Sequence, residues 1–271
     1  MSVSPWRSAL HEARLVGVAL QFLTRVPVPL HGFDPQWLQA SVRHFPLVGA
    51  LVGACGGAVL WAAAMVWPAL VAVLLSMAAT AWITGAFHED GLADTCDGLG
   101  GTAARERALA IMKDSRLGSY GALGLGLTLA LKAAALASLM AASPIMAAAA
   151  SVLGHGVSRA CAVAVLAALP YAGDVAHAKA RPLARPAGAR AAAIAGAWAL
   201  GLTALLGTAS PGAPAPLRWW LASAGALAVA GACARWFRRR LGGCTGDTLG
   251  AVQQWSELAV YLALAAAALD G

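Results

Sequence analysis

The stretch HEDGLADTCDGLGG at 88–101 gathers carboxylates and glycines inside an otherwise apolar chain. Asp90, Asp94 and Asp97 fall at i, i+4 and i+7, so on a helix they share one face, within about 60° of one another. Three carboxylates on one face repel unless a cation sits among them. In lipid they would cost roughly 8–10 kcal/mol together on the insertion scale, so the stretch belongs at the cytoplasmic end of a span, in water or a polar cleft. Hard oxygen donors without cysteine or paired histidine suit Mg²⁺ or Mn²⁺, ions that also hold substrate phosphates. The plainer alternative is a solvated acidic cap on a membrane helix. Three carboxylates on one face, flanked by Gly98, Gly100 and Gly101, weigh against it.

The residues that follow fit the same chemistry. The glycines break the helix and admit a bulky ligand to the backbone. A second short helix is expected from about Thr102, carrying Arg105, Arg107 and Lys113, with Asp114 and Arg116 at its end. This hairpin returns a fourth carboxylate to the region together with cations suited to phosphate oxygens. A second polar island, GGCTGDTLGA at 242–251, combines glycines with Thr245, Gly246, Asp247 and Thr248. It reads as a surface that meets a ligand through backbone N–H groups and hydroxyls. A third cluster, Gly154-His155-Gly156 with Ser158 and Arg159, falls nominally in mid-span. An intramembrane arginine is a functional candidate by default, though one paired with a carbonyl serves equally as structure.

The elements that must position these groups are membrane helices. Hydrophobic residues make up 60% of the chain and charged residues 11%, with a mean hydropathy of +0.70. Soluble domains carry about 25% charged residues, so the balance is that of a membrane protein. The net charge of +7 is assigned to topology rather than to nucleic acid. Five scattered cysteines suggest neither a disulfide framework nor a zinc site, and the N-terminus lacks the pattern of a cleaved signal peptide.

Apolar runs predict an all-α, polytopic bundle of about seven transmembrane helices, at 45–67, 69–87, 119–142, 144–169, 190–208, 217–236 and 251–269. Residues 15–30, interrupted by Arg25, Pro27 and Pro29, suggest an interfacial or re-entrant segment. With the N-terminus cytoplasmic, the inside segments hold Arg7, Arg14, Arg25, Arg43, Arg105, Arg107, Lys113, Arg116, Lys179, Arg181, Arg185, Arg190, Arg235, Arg238, Arg239 and Arg240. That is 16 of the 19 basic residues, a strong positive-inside signal that places the C-terminus outside. Residues 1–271 form one membrane domain, with 1–44 as a cytoplasmic or interfacial segment and 88–118 as a cytoplasmic acidic helical hairpin.

The motifs FLTRVPVP (22–29), FPLVGALVG (45–53), GAFHEDGLADTCDG (85–98), IMKDSRLGSYG (111–121) and LGGCTGDTLGA (241–251) together resemble the cobalamin synthase family, the adenosylcobinamide-GDP ribazoletransferases. The likeness runs from residue 22 to about 260. It implies a multi-pass enzyme of the bacterial inner membrane, with its active site facing the cytoplasm and Mg²⁺ as cofactor. It would join adenosylcobinamide-GDP to α-ribazole, or α-ribazole 5′-phosphate, releasing GMP. Self-association, or association with other corrinoid-pathway enzymes, is compatible with this role. Such a phosphoryl transfer needs metal and Arg/Lys to neutralise its charge. The expectation places Mg²⁺ on Asp90, Asp94, Asp97 and Asp114, and phosphate on Lys113 and Arg116. Asp247, with Thr245 and Gly246, is either a further ligand or an orienter of ribose or base. The proton of the attacking hydroxyl goes to a cluster carboxylate such as Asp94 or to His88, and the sequence leaves that choice open. Glu89 is assigned no essential role.

Two other readings compete. A CDP-alcohol phosphotransferase also uses an Asp- and Gly-containing motif with a divalent metal, but this chain has DGLAD where that pattern needs arginine. An ion-coupled transporter would place carboxylates at mid-membrane, whereas here they follow a complete span.

Overall fold

A computed structural model gives the fold and describes residues 5–30, 32, 34–101, 104–173, 185–209 and 216–266. Helices α1 (Pro5–Leu23) and α2 (Pro35–Ser41) lead through one 3₁₀ turn (Val42–His44) into α3 (Phe45–Ala64). Then follow α4 (Ala69–Thr84), α5 (Phe87–Gly100), α6 (Arg105–Met112), α7 (Ser119–Ala142), α8 (Pro144–Ala168), α9 (Ala189–Ala209), α10 (Pro216–Leu241) and α11 (Gly246–Ala266). Among the described residues no sheet forms, and extended pairing is confined to one parallel bridge between Tyr171 and Cys244. The expected all-α polytopic class holds.

Helix starts follow their local chemistry. Asp34 accepts the Gln36 N–H at 2.8 Å with Pro35 at the first helical position, and Ser143 accepts the Met146 N–H at 3.3 Å ahead of Pro144. Residues 15–30 divide at Thr24, with their apolar part inside α1 and the prolines beyond it. The stretches 174–184 and 210–215, which carry Lys179, Arg181, Pro182, Pro211 and Pro214, lie outside the described residues.

Among the described residues, five helical segments are long and apolar enough to cross a bilayer: Pro35–Ala64, Ser119–Ala142, Pro144–Ala168, Ala189–Thr208 and Pro216–Leu241. A sixth arises if α4 and α5 are counted as one span, although the pair bends by 91°. The expected seven is therefore not reached on length and composition. The run at 69–87 stops short at Gly85, and α4 alone has 16 residues. The run at 251–269 contains Gln253, Gln254, Ser256 and Glu257, all buried within the protein.

The centre of the bundle is α8, packed most closely against α3. Small residues let the two backbones approach: a Cβ on Gly53 would stand 2.5 Å from the Ser151 carbonyl oxygen and 2.8 Å from Val152 Cα. Gly53→Leu should therefore lower the thermal midpoint of the detergent-solubilised protein by several degrees, in line with an overpacking cost of about 1–3 kcal/mol. An unchanged midpoint would show that the α3–α8 contact yields freely.

Candidate active site

The acidic helix owes its direction to a break. Gly85 (φ 72°) and Ala86 (φ 55°) are both left-handed, and the Ala86 N–H closes back on the Ala81 carbonyl at 2.8 Å. This is the local geometry of a helix C-terminus, adopted at a non-glycine position that disfavours it. The segment 22–29 braces the bend. Arg25 donates its N–H to the Ile83 carbonyl at 2.8 Å, and its guanidinium lies over Gly85, where a side chain would collide with it.

Beyond the bend, α5 carries Asp90, Asp94 and Asp97 on one continuous helix, as their spacing requires. Gly98 does not break it. The helix runs on to Gly100, and Gly98 makes room for Met112 of α6, whose Cγ would lie 2.7 Å from an added Cβ. Helix α6 then opens at Arg105, while Thr102 lies outside the described residues.

The carboxylates have different surroundings. Asp90 is exposed and Asp94 is half-buried. Asp97 accepts the N–H groups of Gly118 and Gly121, each at 2.7 Å, so it caps the start of α7. Asp114 pairs with Arg116 two residues on, with Nη2 2.6 Å from Oδ2. Hydrogen bonds from the Arg116 side chain and backbone draw the Asp114 carboxyl down to about 2. Lys113 is exposed beside this pair. Among the described residues no three or more His, Cys, Asp or Glu groups converge to hold an ion. The four expected carboxylates thus do not form a cage, because Asp97 turns to α7 and Asp114 to Arg116. Asp90 and Asp94 stand one helical turn apart on α5. That set fits Mg²⁺, which typically takes one or two carboxylates and completes its shell with substrate phosphate and water.

The second polar island does meet this helix. A Cβ on Gly91 would lie 2.8 Å from the Asp247 carbonyl oxygen, and one on Gly250 3.1 Å from that of His88. Helices α5 and α11 therefore touch backbone to backbone, and the stretches 88–97 and 245–250 form one region. Thr245 and Thr248 make a reciprocal cap: the Thr245 N–H donates to Thr248 Oγ1 at 2.8 Å, and the Thr248 N–H to Thr245 Oγ1 at 3.2 Å. This fixes the first turn of α11, with Gly246 and half-buried Asp247 in it. His88 is buried at the crossing, edge-on to Phe87 at 5.3 Å between ring centroids.

Two arginines serve the frame. Arg105 donates to the Leu241 carbonyl at 2.7 Å and the Ala172 carbonyl at 2.9 Å, and Arg240 reaches the Gly101 carbonyl at 3.1 Å. They tie the α5–α6 connection to the end of α10 and the Tyr171–Cys244 bridge.

The largest feature that sequence reasoning missed lies below α5. Glu257 of α11 is 1% exposed and pairs with Lys132 of α7, Oε1 to Nζ at 2.6 Å. Gln253 and Tyr261 donate to the same carboxylate at 2.6 and 2.9 Å, and His155 Nδ1 stands 3.4 Å from it. Arg159 turns back to the His155 carbonyl at 2.9 Å. Glu89 joins this network through Gln254, which donates to its Oε1 at 3.0 Å. Lys132 and Arg159 stand out in the sequence as charges within spans, a signal that points here. Glu257 is a lone acid in an apolar run.

The family model described as cobalamin-5-phosphate synthase matches residues 15–265. A protein of Leptothrix cholodnii named adenosylcobinamide-GDP ribazoletransferase is 57% identical over 263 residues, covering 93% of this chain and 95% of that protein. Similarly named proteins of Albidiferax ferrireducens and Shewanella amazonensis are each 44% identical, over 268 and 262 residues, covering 92% and 93% of this chain and 96% and 95% of those proteins. No solved structure matches.

Proposed function

The chain belongs to the cobalamin-5-phosphate synthase family, and we propose that it joins adenosylcobinamide-GDP to α-ribazole, or to α-ribazole 5′-phosphate, with release of GMP. The observation that carries this reading is the α5–α11 crossing, where Gly91, between Asp90 and Asp94 in the sequence of α5, meets the first turn of α11. A diphosphate is suited to such a place. The helix start presents N–H groups and the positive end of its dipole, and Asp90 and Asp94 would take the counter-ion. Mg²⁺ bound at Asp90 and Asp94 would supply Lewis-acid neutralisation of the diphosphate charge.

A ribose hydroxyl that stays free in α-ribazole 5′-phosphate forms a bond through its oxygen to the cobinamide-side phosphorus, and the bond from that phosphorus to the bridging oxygen breaks, with GMP carrying away the electron pair. Asp94, half-buried on the acidic face, takes the hydroxyl proton in this proposal, since His88 is buried beneath that face. Lys113, exposed beside the Asp114–Arg116 pair, contacts phosphate. Purified protein given adenosylcobinamide-GDP, α-ribazole and Mg²⁺ should release GMP in step with cobalamin formation. Absence of GMP would defeat the proposal.

Two further expectations follow from the same reading. Chelator should abolish turnover, and Mg²⁺ or Mn²⁺ should restore it, because the donors are hard oxygens. Full activity in excess EDTA would remove the metal from the scheme. The proposed setting is the bacterial inner membrane with the site towards the cytoplasm, supported by the basic-residue asymmetry. A single cysteine at Ser119 in a cysteine-free background should then label from the cytoplasmic side. Labelling only from the periplasm would invert the topology.

A further inference from the structure

A cavity of about 330 Å³ opens between α4 and α7, where Leu74, Ala78 and Ala130 are exposed at its apolar rim. Its inner wall is polar and includes Glu89, Lys132 and Glu257. Hydrogen-bond capacity on that wall can be counted group by group. Glu257 is satisfied: Oε1 accepts from Lys132 and Tyr261, and Oε2 accepts from Gln253 and faces His155. The Lys132 ammonium has three hydrogens and uses two, one for Glu257 and one for Gln254 Oε1 at 3.0 Å. Glu89 accepts from Gln254 through Oε1, while its Oε2 is buried without a partner. Among Glu257, Lys132, Gln254 and Glu89, this leaves one spare donor and one spare acceptor.

Those two spare valences flank a carboxamide. The Gln254 side chain takes a hydrogen from Lys132 at its oxygen and gives one to Glu89 from its nitrogen, both at 3.0 Å. A second carboxamide would complete the same pair, with its carbonyl on the third Lys132 hydrogen and its N–H on Glu89 Oε2. A carboxylate or phosphate would meet Glu89 and Glu257, and an ammonium would meet Lys132, so a neutral group with both a donor and an acceptor is the match. A buried acceptor left without a partner is destabilising, and such a ligand would relieve it. The cavity is at the small end of the range for ligand pockets, so it takes one arm of a large molecule rather than the whole.

We propose that this cavity is a subsite for a primary carboxamide on an apolar stem, presented by the corrinoid substrate. The inference rests on the function proposed above, whose substrate is by its own name an amide. An amide-bearing membrane lipid offers the same chemistry, and the test separates the two sources.

Two variants probe the site by different means. Glu89→Gln replaces the spare acceptor while keeping shape, and Ala78→Leu narrows the mouth from an exposed position that does not disturb the core. Adenosylcobinamide, without the nucleotide, is titrated onto each purified protein and followed by its corrin absorbance. Turnover with adenosylcobinamide-GDP is measured in parallel. Both variants should weaken adenosylcobinamide binding, and raise KM for adenosylcobinamide-GDP, by about tenfold. The KM for α-ribazole, the saturated kcat and the thermal midpoint should stay within twofold or within a degree or two. Wild-type affinity for adenosylcobinamide in both variants overturns the proposal. Loss of a co-purifying lipid with unchanged corrinoid binding also overturns it, and reassigns the cavity to lipid. A wild-type protein that binds adenosylcobinamide but releases no GMP defeats the proposed reaction alone, since the binding comparison still decides the subsite.

Discussion

Asp94→Asn should leave a folded, inserted protein whose GMP release falls at least tenfold and whose Mg²⁺ requirement shifts to higher concentration. The substitution keeps side-chain size and removes one charge from the face shared with Asp90. If the face were only a solvated cap, removing a like charge would be neutral or slightly stabilising. If Asp94 holds Mg²⁺ against the diphosphate, losing it should cost at least tenfold, the low end of the 10- to 100-fold typical of groups that merely support a ligand. Detergent-extracted yield and thermal midpoint, measured beside a Mg²⁺ titration of turnover, separate these outcomes. Normal turnover with an unchanged metal requirement would remove Asp94 from the site. Asp97→Asn is the informative contrast. Asp97 accepts two N–H groups at the start of α7, so that change should show in the thermal midpoint as well as in turnover.

The largest effect on folding is expected at Glu257. Glu257→Ala leaves the Lys132 ammonium, 4% exposed, without its 2.6 Å partner inside the bundle. Breaking a buried pair from one side costs about 3–5 kcal/mol, because the remaining charge has lost its compensation. Yield and midpoint should both collapse. Removing both charges, as Lys132→Met with Glu257→Leu, should recover most of the loss, since an apolar pair of similar size is often as stable as a buried ion pair. A double variant no better than the single one would show that Gln253, Gln254 and Tyr261 depend on the carboxylate itself.

Much of this architecture is legible in the sequence, and the limits have identifiable physical causes. Long apolar runs reveal α7, α8, α9 and α10 because lipid-facing helices need about 20 such residues. The α4–α5 bend is hidden, since AWITGAFH reads as one apolar run and only backbone geometry puts Ala86 in the left-handed region. The one-face arrangement of Asp90, Asp94 and Asp97 follows from helical spacing alone. Spacing says nothing of partners, so it cannot tell that Asp97 will be held by Gly118 and Gly121 on the next helix. The meeting of 88–97 with 245–250 is foreshadowed only as two glycine-rich islands on one side of the membrane. Their glycines, Gly91 and Gly250, turn out to be the point of backbone contact. The Lys132–Glu257 network is hardest to read, because its members come from separate helices and each is isolated within its own apolar run.

The α5–α11 crossing has a consequence for biosynthesis. Helix α5 is complete at Gly100, yet the helix whose backbone it touches begins at Gly246. At 5–20 residues per second, a ribosome needs roughly 7–30 s to cover that interval. Throughout it, the Gly91 face of α5 has no neighbour from α11, and Glu89 and Lys132 lack Gln254 and Glu257. The site is therefore finished late, by the last described helix to leave the ribosome. A nascent chain stalled before Gly246 would carry the whole acidic motif and still lack the α5–α11 crossing on which the proposed site depends.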